Sequence, residues 1–255
     1  MTDPYAALAD DFVSHYGTLR GAVRFALVSR QLDAHLPPPP GRIADVGGGA
    51  GHQAIRLARS GYEVALLDPS EEMLGKAREA LDREPSEVQP RVSVVLGRGE
   101  DSPRILGEQA FDAVLCHGVV MYLEDPSDLI RALGAVARPG GIISLVAKNA
   151  ESLAMRAGLE GRFRDALSAF DSDRDRGGLG AVTRGDTVAG LTAMMDGAGI
   201  DLIEWCGVRV LTDHLGDQAP GADLAEVIEA EWEAGRRDPY RMVARLLHLM
   251  GRRRT

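Results

Sequence analysis

One segment, Arg42-Ile-Ala-Asp-Val-Gly-Gly-Gly-Ala-Gly51, restricts the fold more than any other. A short apolar strand, Arg42 to Val46, runs into four glycines within five residues. His52 to Ser60 then has the spacing of a helix, with Ile55, Leu57 and Ala58 inward and Gly61 as a C-cap. Glycines let a backbone turn sharply and approach a ligand closely, and four exceed what a strand-to-helix turn needs. The segment matches a D-x-G-x-G-x-G pattern from Asp45. A dinucleotide fingerprint, Gly49-x-Gly51-x-x-Ala54, also fits, and a tight turn without a ligand is the third reading.

Strand and helix signals alternate from here. Tyr62 to Leu67 reads as a strand ending at Asp68, and Ser70 caps a helix whose first turn holds Glu71 and Glu72. Arg91 to Leu96, Ala110 to Cys116 and Ile142 to Ala147 read as strands, and Ser127 to Ala137 as a helix ended by Arg138-Pro-Gly-Gly141. Such alternation predicts a parallel sheet covered on both faces, with ligands beyond the carboxyl ends of the strands. Before it, Pro37 to Pro40 end a helical pattern from Arg20 to Leu36, so residues 1–40 form an N-terminal helical cap and residues 41–255 the main domain. A substrate-side insertion is expected near 150–184, with polar Glu160 to Gly180 as a loop. Asp186 to Gly197 and Asp223 to Ala234 read as helices, the latter with Leu224, Val227 and Ile228 inward. Asp201 to Trp205 and Val208 to Leu211 read as strand, and Tyr240 to Met250 fits helix or strand.

Hydrophobic residues at 45% and charged residues at 26% exclude a disordered chain. No apolar run approaches a membrane span, and the start lacks the basic and apolar regions of a secretory signal. A net charge of −9 argues against a broad basic face for nucleic acid. Cys116 and Cys206, 90 residues apart, fit reduced thiols in the cytoplasm. The spacings of metal sites, P-loops and hydrolase elbows are absent, so no metal is expected.

The strand ends carry the candidate site. Asp68 can accept both hydroxyls of a ribose, or serve the helix N-terminus that follows. In Gly97-Arg-Gly-Glu-Asp101 a carboxylate can accept from an adenine amine, or belong to a solvated turn. His117 ends the fourth strand above the switch point, where a functional and a packing role are equally open.

Taken as a set, Ile43 to Gly51, Leu67-Asp-Pro-Ser70, Gly99-Glu-Asp101, Phe111-Asp112 and Arg138-Pro-Gly-Gly141 resemble the class I methyltransferases that use S-adenosylmethionine. The resemblance covers about residues 40 to 147. It implies a Rossmann-like, mostly parallel seven-stranded sheet with helices on both faces, its last strand antiparallel and falling at Leu246 to Arg252. It also implies that Gly47, Gly48, Gly49 and Gly51 meet the methionine part of the cofactor, Asp68 the ribose, and Glu100 and Asp101 the adenine. S-adenosylhomocysteine would be the product.

Tyr16 to Arg24, Val146 to Asn149, Gly207-Val-Arg-Val210 and Asp238-Pro-Tyr240 resemble a narrower family, which methylates the carboxylate of 5-carboxymethoxyuridine at the tRNA wobble position. That likeness implies a cofactor-binding Arg24 and a substrate pocket drawn from Tyr16, Arg20, Tyr122, Asn149, Arg184, Arg209 and His248. This chain departs from it at Leu211-Thr-Asp-His214, at Lys148 in place of an aromatic residue, and near residue 175, where balanced Asp and Arg replace lysines. These departures bear on the acceptor. A carboxylate acceptor, ionised at pH 7, needs an orienting cation such as Arg20, Arg184 or Arg209. A hydroxyl acceptor calls for a general base, with His117 or His248 as candidates; His117 is the nearer to the expected methyl position, unless it contacts the cofactor instead. Arg236, Arg237, Arg241, Arg245 and Arg252 to Arg254 offer a phosphate-binding strip, or a solvated helix and tail. The acceptor is thus tRNA or a small molecule bearing a carboxylate or hydroxyl. The readings of other classes are an NAD-dependent oxidoreductase and a cofactor-binding module without turnover.

Overall fold

The computed structural model describes residues 10, 14–176 and 182–255. The rest of the cap and the end of the polar stretch at 177–180 lie outside the described residues.

Helix α1 (Leu19–Asp33) starts at Thr18, whose hydroxyl accepts from Gly21 N, and buries Leu19, Val23, Leu27, Val28 and Leu32 on one stripe. The prolines follow. The alternation then unfolds as β1 (Arg42–Val46), α2 (His52–Arg59), β2 (Glu63–Asp68), α3 (Glu71–Leu81), β3 (Val92–Leu96), α4 (Ser102–Leu106), β4 (Phe111–His117), α5 (Ser127–Val136) and β5 (Ala137–Lys148). Ser70 caps α3 as expected, accepting from Met73 N.

The sheet has seven strands in the order β3-β2-β1-β4-β5-β9-β8, with β8 at Ile200–Val208 and β9 at Leu246–Arg253. β1 to β5 are parallel, and β9 runs antiparallel to both its neighbours. Chain order reverses at β1, which pairs with β2 on one side and β4 on the other. The switch point therefore lies beyond Val46 and His117. Successive residues of β1 enter opposite cores: Ala44 and Val46 join one with Leu133 and Leu145, and Ile43 joins the other with Leu57 and Leu66.

Several boundaries differ from expectation. β5 begins at Ala137, because Arg138 pairs with Asp112 and a register shift at Phe111/Ala113 absorbs the Pro-Gly-Gly sequence. Tyr240 to Met250 is a turn and then the strand β9, whose Leu246 to Met250 are buried on both faces between β5 and β8, leaving no alternation to read. One strand, β8, replaces the two read around residue 206; it ends before Arg209, which has φ +62°. Glu160 to Gly180 is not simply a loop. After α6 (Leu153–Leu159) it holds α7 (Phe163–Ala169) and β6 (Arg174–Arg176), which pairs with β7 (Val182–Arg184). Helix α8 (Val188–Gly197) begins at Thr187, and α9 (Leu224–Arg236) turns Leu224, Val227 and Ile228 toward the cluster under α1.

Candidate active site

A cleft opens at the switch point. Tyr16, Arg24, Phe25 and Val28 come from the N-terminal segment, Asp45, Gly47 and Gly48 from β1 and its turn, Gln53 from α2, and His117 from β4. Gly47 stands at φ +73°, and a Cβ there would lie 2.3 Å from Val119 Cγ2. A Cβ at Gly48 would meet Leu66 Cδ1 at 2.1 Å and Asp45 Oδ2 at 2.6 Å. Only glycine follows this path, which leaves the floor of the cleft as bare backbone.

Asp68 steadies the turn. Its two oxygens accept from Gly49 N and Ser70 N, each at 2.9 Å. Ser70, not Asp68, caps the helix through its side chain. Glu100 and Asp101 lie on the turn after β3, partly exposed and paired with Arg98 and Arg104. Arg24 reaches across from α1 and donates from Nη2 to the His117 carbonyl at 3.2 Å. Tyr16 stacks on His52 with centroids 3.7 Å apart.

Two polar atoms of the cleft residues are buried and unpartnered: Asp45 Oδ2, an acceptor, and Gln53 Nε2, a donor. Burial, and then the neighbouring Asp68, push the Asp45 carboxyl up to about 7. An orphaned acceptor and an orphaned donor beside Arg24 suit a ligand end bearing both an ammonium and a carboxylate. The residues therefore fit the amino-acid end of S-adenosylmethionine. Sequence reading missed Gln53, which carries no motif.

The histidines do not suit a base. His117 Nε2 is held by Ser144 Oγ at 2.8 Å, and burial, then His248, hold its pKa well below the usual range. His248 is wholly buried on β9, with burial pushing it down to about 3.

The substrate candidates divide. Arg20 is engaged by Asp217, Nε to Oδ1 at 3.0 Å and Nη2 to Oδ2 at 2.6 Å. Arg184 pairs with Asp186 at 2.6 Å. The Asn149 side chain is buried, donating to Met242 O and Ala244 O and accepting from Glu151 N. Tyr122 packs against the cluster under α1.

Arg209 is different. It sits in a largely buried group with Lys148, Arg156 and Arg245, facing Asp175 and Asp213. Four cations thus share two carboxylates. Asp213 takes Arg156 side-on, at 2.6 and 2.8 Å. Arg209 Nε faces Asp213 Oδ1 at 3.4 Å but has no hydrogen-bond partner. Burial, with Arg156 and Arg24 adding to it against Asp213, brings the Arg209 guanidinium down to about 9. Arg24, which lines the cleft, is among the charges that act on Arg209. Burial, and then Arg245, lower Lys148 to about 8. The left-handed backbone at Arg209 is held by Glu231 of α9, which is 0% exposed. Its carboxylate accepts from Val210 N, Leu211 N, Thr212 N and Thr212 Oγ1. Composition hid this group, since the chain as a whole is acidic.

The C-terminal arginines do not form a strip. Arg236 lies over the Trp232 ring, Arg245 belongs to the buried group, Arg237 and Arg241 pair with Glu233 and Asp238, Arg252 and Arg253 donate to carbonyls, and Arg254 holds Asp196 and Asp201. Among the described residues no group of three or more His, Cys, Asp or Glu could hold a metal ion, and no helix is long and apolar enough to cross a membrane.

Comparison with known proteins agrees with this geometry. A family model described as a methyltransferase domain matches residues 44–145. The tRNA 5-carboxymethoxyuridine methyltransferase of Escherichia coli K12 is 31% identical over 242 residues, 93% of this chain and 91% of that protein. A ubiquinone biosynthesis O-methyltransferase of Xanthomonas axonopodis pv. citri is 33% identical over 154 residues, 58% of this chain and 60% of that one. An S-adenosylmethionine-dependent methyltransferase from Mesorhizobium loti shares the fold, with TM-score 0.61 and 20% identity over 89% of this chain and 98% of that one. So does a Burkholderia thailandensis 1,6-didemethyltoxoflavin-N1-methyltransferase solved with S-adenosylhomocysteine, with TM-score 0.56 and 16% identity over 100% and 92% of the two chains. None of this supports the NAD-dependent oxidoreductase. The chain belongs to the S-adenosylmethionine-dependent methyltransferases.

Proposed function

We propose that this enzyme methylates the carboxylate of an acid, and that the acid is a modified uridine of tRNA. The observation that carries the carboxylate is the buried group of four cations on two carboxylates, with Arg209 Nε unsatisfied. An excess of buried positive charge is costly unless an anion joins it. The tRNA acceptor is supported by the relative of that name, which matches along nearly the whole chain. A small-molecule acid is the second reading. It is favoured by the engagement of the C-terminal arginines, which leaves little basic surface for phosphates.

S-adenosylmethionine, when bound, supplies a methyl group made electrophilic by a sulfonium. In this reading Gly47, Gly48, Gly49 and Gly51 bring backbone close to its amino-acid end, with Arg24 and Gln53 toward the carboxylate and Asp45 toward the ammonium. Asp68 holds the ribose, and Glu100 and Asp101 the adenine. The described part of the N-terminal segment, with α1, caps the cofactor, and α6 and α7 of the insertion lie on the acceptor side. Arg209 orients the acceptor carboxylate, with Tyr16 and Tyr122 at the rim of the pocket. A carboxylate with a reference pKa near 4 arrives ionised, so alignment and exclusion of water do the catalytic work, about 7–11 kcal/mol when the geometry is right. A cytoplasmic location accords with tRNA and with Cys116 and Cys206, both free thiols.

The test is transfer of labelled methyl from S-adenosylmethionine to tRNA isolated from cells lacking this methylation, and to panels of small carboxylic acids and of small phenols and alcohols. Alkali-labile label in tRNA, lost with Arg209→Leu, is the expected result. Label in a small acid alone selects the second reading, and label only in hydroxyl acceptors refutes the carboxylate.

A further inference from the structure

Beneath the cleft, side chains of three neighbouring strands form a hydrogen-bonded chain. His117 Nε2 lies 2.8 Å from Ser144 Oγ, and Ser144 Oγ lies 2.7 Å from His248 Nε2. The order β4-β5-β9 sets them together. His117 and His248 both stand opposite Val146, and Ser144 is two residues earlier on the same face. Ser144 and His248 are fully buried, and His248 Nδ1 has no partner.

The protons can be counted. Burial keeps both imidazoles neutral, so each carries one N–H. The Ser144 hydroxyl has one proton, and these two rings are its partners among the described residues. It therefore donates to one ring and accepts an N–H from the other. Donation to His248 would put the His248 proton on Nδ1, a buried N–H with no acceptor, which is the rarer kind of orphan. Donation to His117 leaves only a bare lone pair there. Either arrangement contains one Nδ1–H ring and one Nε2–H ring, so the intrinsic tautomer preference cancels.

We infer that Ser144 and His248 are positioning residues that lock His117 as the Nδ1–H tautomer, so that it offers the cleft a hydrogen-bond donor and not a base. With Nε2 engaged, Nδ1 is the nitrogen that His117 has left for a ligand oxygen. The corollary rests on the proposed function: an acceptor in this cleft brings an oxygen that is already ionised. The tautomer itself does not depend on that reading.

Long-range proton–nitrogen correlation spectra of the ¹⁵N-labelled free protein, assigned with His117→Asn and His248→Gln, decide it. The expected pattern is protonation at Nδ1 of His117 and at Nε2 of His248. Ser144→Ala is expected to mix the His117 tautomers and to weaken S-adenosylhomocysteine binding by about 3- to 10-fold, the worth of one hydrogen bond. Ser144→Thr, which keeps the hydroxyl, is expected to restore both. An Nε2–H proton on wild-type His117, or an unchanged tautomer in Ser144→Ala, overturns the inference. The expected tautomers without S-adenosylhomocysteine binding would sink the cofactor roles proposed above and leave the inference standing.

Discussion

Glu231 is the sharpest place to test the reasoning about Arg209. Its Oε1 accepts from Leu211 N at 3.1 Å, Thr212 N at 2.8 Å and Thr212 Oγ1 at 2.5 Å, and its Oε2 from Val210 N at 2.7 Å. In Glu231→Gln the amide oxygen can keep the three donors at Oε1, but the NH2 group then faces Val210 N. One charge-assisted bond is lost, one buried donor is left opposite another, and the other three bonds weaken. At about 1.5–3 kcal/mol for a hydrogen bond to a charged group, a net loss of about 2–3 kcal/mol is expected. The protein should still fold, since domains of this size are stable by about 5–15 kcal/mol. Glu229→Gln on the same helix is the control. Glu229 pairs with Arg30 at 2.7 Å, but its side chain is 64% exposed, so its removal should cost under about 1 kcal/mol. Urea unfolding followed by circular dichroism measures both. Because the clamp holds Arg209 at φ +62°, Glu231→Gln should also raise KM for the acid acceptor while S-adenosylhomocysteine affinity stays near wild type. Equal losses in the two variants, or an unchanged KM, would refute the account of Glu231 as the clamp.

Four further outcomes are expected. Gly48→Ala should abolish S-adenosylhomocysteine binding in calorimetry, because its Cβ would sit 2.1 Å from Leu66 Cδ1. Asp45 has a folded-state pKa of about 7, above its unfolded value, so the folded state binds the extra proton between those pH values and stability falls as pH rises through that window. Asp45→Asn should therefore gain stability over wild type at pH 8 and lose the advantage near pH 4, by urea unfolding. Pairing with a ligand ammonium should pull that pKa down, so S-adenosylhomocysteine binding near pH 6.5 should release a fraction of a proton, seen by calorimetry in buffers of different ionisation enthalpy and absent in Asp45→Asn. Asp68→Ala should weaken the same ligand at least about tenfold, since the substitution frees Gly49 N and Ser70 N as well as removing the proposed ribose acceptor.

The strand-end positions of the candidate cofactor residues were legible because they are set locally. The glycines, Asp68 and the Glu100-Asp101 pair each follow a strand, and strand periodicity with turn residues is written in consecutive positions. Arg24 was placed by resemblance, and the fold supplies the contact that explains its reach, the His117 carbonyl. The acceptor half was poorly legible because its groups are distant in sequence. Arg20 looks like a free cation until Asp217 stands beside it, and Asn149 looks like a polar pocket residue until its amide meets two carbonyls.

By itself, the sequence determined the alternating sheet, the strand-to-helix turn that only glycine can follow, and the strand ends where the cleft opens, since backbone geometry and apolar spacing act over a few residues. Tertiary structure alone decided which charges stay uncompensated. Lys148, Arg156, Arg209 and Arg245 become one buried group, and His117, Ser144 and His248 one hydrogen-bonded chain, only when β9 inserts between β5 and β8. Electrostatics and hydrogen bonding depend on distance in space, and that insertion is a long-range pairing that no local pattern encodes.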